Sequence, residues 1–84
     1  MKVFFALTYD TGDGMEPGLF LARSLEEIRQ VAISHLRHPE DEKDEDEGIN
    51  HSIESIESWD GSKDIEVFYF DGNPGKMLLG TSEL

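Results

Sequence analysis

The stretch INHSIESIESW, residues 49–59, decides how many strands this chain contains. Three units follow one another there: Ser52-Ile53-Glu54, Ser55-Ile56-Glu57 and Ser58-Trp59-Asp60. A spacing of three matches neither the strict alternation of a half-buried strand nor a full helical stripe. A strand with a bulge absorbs the misfit, because a bulge adds one residue to one side of a ladder, and a strand is therefore expected from Ile49 to Trp59.

Downstream, Asp60-Gly61-Ser62-Lys63 reads as a turn into Ile65 to Phe70, where Ile65, Val67 and Tyr69 alternate with Glu66, Phe68 and Phe70. That alternation predicts a strand. The segment from Asp71 to Gly75 supplies a second reversal, and Lys76 to Gly80 returns as a short last strand. Upstream, Ser24 and Glu27 have the spacing of a capping box, and Leu25, Ile28, Val31, Ala32, His35 and Leu36 fall on one helical face. The helix is expected from Leu25 to about Arg37, with Pro39 beyond it as the stop. Lys2 to Tyr9 is apolar on both faces, as a central strand requires, and Leu19 to Ala22 is short enough to pair back on it across the glycine-rich loop from Asp10 to Gly18.

The predicted order is β-β-α-β-β-β. Short turns make the late strands antiparallel neighbours. The fold class is α+β, two-layer, with one helix packed on a small antiparallel sheet. The free face of that sheet is where Phe68, Phe70 or Trp59 would be exposed.

The 84 residues form a single domain, 1–84, since a second core does not fit in this length. With 37% hydrophobic and 10% aromatic residues the composition is that of a globular chain. The absence of cysteine favours a reducing compartment, and neither a signal peptide nor a membrane helix is recognisable, so a soluble cytoplasmic protein is expected.

Charge is the most unusual property. Nineteen acidic residues against seven basic ones give a net charge of −12, and the acidic loop 40–48 concentrates Glu40, Asp41, Glu42, Asp44, Glu45, Asp46 and Glu47, interrupted by Lys43. A field of this sign repels nucleic acid and anionic membranes and attracts cationic surfaces. Catalytic signatures are missing: there is no thiol, no G-x-S-x-G elbow and no phosphate-binding glycine loop, and a solvated acidic run offers no burial to separate carboxyl proton affinities. We expect no enzyme, no cofactor and no metal ligand set.

The expected contact residues for a basic partner are the seven carboxylates of the run together with Glu57, Trp59 and Asp60, since an aromatic ringed by carboxylates anchors a cationic surface well. The partner is expected to be a basic, nucleic-acid-binding protein, bound with no direct contact to nucleic acid or membrane, and the chain itself a monomer or homodimer. Two alternatives stand beside this reading. One is a divalent-cation module, in which Gly48 takes the sixth position of a calcium loop and Glu45, Glu47 and Glu54 the third, fifth and twelfth, assisted by Asp10 and Asp13, although Lys43 then falls where an aspartate is needed. The other is a structural subunit whose acidic loop keeps it in solution. His35, His38 and His51 are spaced too loosely to define a transition-metal site.

In size, lack of catalytic motifs, the carboxylates from Glu40 to Glu47 and a compact strand-and-helix core, the chain resembles the small acidic proteins that phages encode against host defences, such as the anti-CRISPR proteins. It is less similar to the bacterial immunity proteins that cap nuclease toxins. The resemblance covers the whole chain in general character and carries no individual residue across. It implies an inhibitor that mimics nucleic acid, its carboxylates standing in for phosphates.

Overall fold

Leu78 and Leu79 are adjacent in sequence but point to opposite sides of a four-stranded sheet, and that sheet organises the molecule. A computed structural model describes residues 1–9, 17–37, 47–70 and 73–84. The strands are β1 (Lys2–Tyr9), β2 (Gly18–Ala22), β3 (Ile65–Phe70) and β4 (Asn73–Glu83), and the helices are α1 (Leu25–Leu36) and α2 (Glu47–Ser58). The strand order is β2-β1-β4-β3, antiparallel throughout. The α+β two-layer class expected from the sequence is what the chain adopts. The order is β-β-α-α-β-β, with two helices rather than one.

The added helix corrects the reading of residues 49–59: the expected bulged strand is α2. Its buried residues are Ile49, Ser52, Ile53 and Ile56, a spacing of three, four and seven from the first, which is the stripe of an amphipathic helix. A three-residue repeat slips by only about 60° per unit around a helix, so over two or three units the apolar side chains stay on one face.

α1 keeps nearly its expected limits. The Ser24 hydroxyl accepts from the Glu27 backbone N–H at 3.2 Å, and Glu26 and Glu27 sit at the positive end of the helix dipole. Arg37 closes the helix in extended backbone, its N–H donating to Ile33 O at 2.9 Å.

Both helices cover the same side of the sheet, α1 over β1 and β2, α2 over β3. Ala6, Met77, Leu79 and Val67 come up from the strands to meet Ile28, Ala32 and Leu36 of α1 and Ile53 and Ile56 of α2. Phe70 joins this core, lying against Gly75 so closely that a Cβ there would be 2.3 Å from the ring. β1 is central, as its two apolar faces required. The last strand is much longer than expected and is also central, pairing with β1 from Lys2 opposite Glu83 to Tyr9 opposite Lys76, and with β3 on its other edge. β3 carries an irregularity between Val67 and Tyr69, which turns Phe70 inward. No helix among the described residues is long and apolar enough to cross a membrane.

Candidate functional site

The outer surface of α2 is where the expected contact residues can be located. The helix buries isoleucine on one side, so Glu47, Asn50, His51, Glu54, Glu57 and Ser58 are left exposed on the other. Ser55 and Ser58 satisfy their hydroxyls locally, on His51 O at 2.9 Å and Ser55 O at 3.2 Å, and so compete for no partner on that surface.

Glu47 lies in the first turn, beside the positive end of the helix dipole, where a carboxylate is favourable. Glu57 lies in the last turn, where the dipole is negative and no basic residue compensates it. Among the described residues no lysine or arginine forms an ion pair with Glu47, Glu54 or Glu57; the ion pairs there join the N-terminus to Glu83, Arg29 to Glu26 and Lys76 to Glu66. Asp60 follows on the surface. Hydrogen bonds from Ser62, the hydroxyl first and then the backbone N–H at 2.9 Å from Oδ1, hold its carboxyl below the usual range. The outer face of α2 is therefore a region of negative potential built by Glu54 and Glu57, and Asp60 extends it with part of its charge offset by Lys2.

Trp59 does not belong to that surface. Expected as an exposed anchor, it is 4% exposed, packs edge-to-face on Phe4 with ring centroids 6.1 Å apart, and donates its indole N–H to Lys63 O. Its position is the next step of the same drift that places Ile53 and Ile56, so the side chain that follows the helix falls inward. Gly61, at φ +81°, makes the turn beneath Phe4, and a Cβ there would lie 3.0 Å from that ring. Trp59 and Phe70 are core residues, whereas Phe68 is exposed on the open face as expected.

The contact residues Glu40, Asp41, Glu42, Asp44, Glu45 and Asp46 lie outside the described residues, as do Asp10, Asp13, Glu16 and His38. The run joins α1 to α2 in sequence. The calcium-loop alternative is corrected in one respect: residues 47–54 are helical, so Gly48 makes no loop turn, and Glu47 and Glu54 stand two helical turns, about 10 Å, apart along one axis. His35 is half-buried with its ring 4.8 Å from that of Phe20, while His51 is exposed on α2. Among the described residues no three potential metal ligands come together. A shallow, open depression at the junction of α1 and β2 is lined by Leu21, Ala22, Glu26, Glu27, Gln30 and Val31. Gln30 is engaged there by Glu26 at 3.1 Å.

Reading residues 49–59 as helix would have located this ridge from the sequence, because Glu47, Glu54 and Glu57 then fall opposite the isoleucines. No family model matches the chain, and comparison with curated proteins and with solved structures finds no match.

Proposed function

We propose that this chain is a non-enzymatic protein-binding inhibitor whose acidic surface occupies a basic, nucleic-acid-binding site on a partner. The observation that carries the reading is the outer face of α2: Glu47, Glu54 and Glu57 are exposed, Glu57 in the last turn where the backbone adds negative potential, and none forms an ion pair with a described cation. The run from Glu40 to Asp46 leads directly into that helix and multiplies the charge. Sites that hold phosphates use arginine and lysine, and an opposing array of carboxylates competes for the same cations. Long-range attraction by a chain of net charge −12 gives the fast association that an inhibitor needs.

The test is capture from lysate of the native cell with three baits: the natural chain, a variant with the seven carboxylates of 40–47 replaced by Ser or Gln, and a variant carrying Glu54→Gln and Glu57→Gln. The expected result is a basic protein bound by the natural chain, released by added DNA or heparin, and reduced with both variants. Equal capture by all three baits, or a captured protein indifferent to polyanion, would sink the reading and leave the charge as a solubilising surface.

A further inference from the structure

The face of the sheet opposite the helices is apolar where solvent normally meets polar residues. Antiparallel sheets with one solvated face alternate apolar and polar side chains along each strand. Here β1 presents Phe5 and Leu7 on the open side, β2 presents Leu19 and Leu21, β4 presents Leu78 and β3 presents Phe68. The register makes them contiguous: Leu19 is opposite Leu7, Leu7 is opposite Leu78, and Leu21 is opposite Phe5. Leu19 is 60% exposed, Leu21 63% and Phe68 52%. Gly80 keeps the surface flat, because Phe5 lies across β4 where a Cβ would be 2.6 Å from its ring.

Charge identifies the occupant. Within the strands, the charged residues of the open face are Lys76 and Glu66, joined at 3.1 Å. The Lys76 ammonium also lies 5.8 Å from the Tyr9 ring centre and 5.6 Å from that of Phe68. This face therefore carries little charge in a molecule of net charge −12: beyond the Lys76–Glu66 pair, Asp64 reaches it beside Gly80 and Phe5, while the acidic helical layer lies on the other side. Two copies that approach helix to helix repel one another, whereas two that approach sheet to sheet keep their acidic surfaces as far apart as the fold allows. The area is sufficient. Strands of eight, five, six and eleven residues, rising about 3.3 Å per residue and lying about 4.8 Å apart, present roughly 475 Å² per copy, or about 950 Å² for a pair, the size of a weak, reversible association. Edge-to-edge pairing is less favoured, since of the two outer strands β3 is interrupted between Val67 and Tyr69 and β2 is only five residues long.

We propose that the open face, centred on Leu7 and Leu78 and flanked by Leu19, Leu21 and Phe68, packs against the same face of a second copy to form a symmetric sheet-on-sheet dimer. Each helical layer, with its acidic ridge, then faces outward, and the assembly presents two such surfaces.

Sedimentation velocity on the full chain, from roughly micromolar to millimolar concentration, tests this. The expected species has twice the 9.5 kDa mass of the chain, and it tightens as salt is raised, because salt screens the repulsion between the copies without weakening the apolar contact. Leu21→Glu and Phe68→Glu, both at positions already exposed in the single chain, are expected to weaken association by at least about a hundredfold each, with an unchanged far-ultraviolet circular dichroism spectrum showing that the fold survives. Ser34→Ala, exposed on α1 and without change of charge, serves as a control that leaves the contact intact. A natural chain that stays monomeric throughout, a dimer indifferent to both substitutions, or one that loosens with salt overturns the proposal.

Discussion

The two faces of the sheet are built from the same kinds of side chain and differ in what covers them. On β4, Met77 and Leu79 are fully buried beneath α1 and α2, while Leu78 between them looks the other way and is only partly buried. On β3, Phe70 is 1% exposed and Phe68 is 52% exposed. Alternation along a strand thus reports which side chains share a face, and the helical layer decides which of the two faces is core. An apolar residue that stays exposed on the uncovered side, as Leu19, Leu21 and Phe68 do, contributes little to the fold of a single chain and is available for contact.

Truncating one member of each pair is the strongest way to break that contrast. Phe70→Ala is expected to destabilise the chain by about 3–5 kcal/mol in urea unfolding, a large share of the stability of a domain this small. Gly75→Ala comes next. Its methyl group would sit 2.3 Å from the Phe70 ring, and the forced repacking should cost about 1–3 kcal/mol, seen as a fall in Tm of several degrees. Ser24→Ala removes the acceptor for the Glu27 N–H and should cost about 1 kcal/mol, which measures how firmly α1 is held over the sheet.

Phe68→Ala, on the uncovered face, should change unfolding by less than about 0.5 kcal/mol at concentrations where the chain is monomeric. A cost close to that of Phe70→Ala would show that the open face is already part of a single-chain core. The smallest effect is expected at Asp60. Its carboxyl is held below the value it has in the unfolded chain, so the ionised form favours the native state at pH above the unfolded value, and that contribution disappears as pH falls through the native value. The stability difference between the natural chain and Asp60→Asn should therefore shrink as the pH is lowered from about 6 to about 2.

Legibility in the sequence followed the strength of the local signals. α1 was readable because Ser24, the two following glutamates and an unbroken stripe agree with one another. β1 and β3 were readable from their alternation. α2 was not, because its β-branched isoleucines and three-residue repeat fit a strand as readily as a helix, and the choice between them depends on packing against β3 and α1 that no local pattern displays. Misreading the helix also left Trp59 unplaced: a strand that buries neither Ile53 nor Ile56 consistently assigns it no side, whereas just past the helix it follows Ile56 by three residues and turns into the core. The acidic character of the candidate site was plain from composition, but its geometry was not, since charge carries no periodicity until the helix beneath it is recognised.

The pairing of β1 with β4 has a consequence for the order in which the molecule is made. The first strand of the chain lies beside the last, with Lys2 opposite Glu83, and β4 is also what joins β3 to the rest of the sheet. Synthesis proceeds from the amino end at about 5–20 residues per second, so β1, β2 and both helices emerge seconds before the strand that unites them. Such distant pairing is slow to form even in a finished chain. During that interval β1 lacks its central partner, and the mutual repulsion of highly acidic chains opposes aggregation until the final strand inserts.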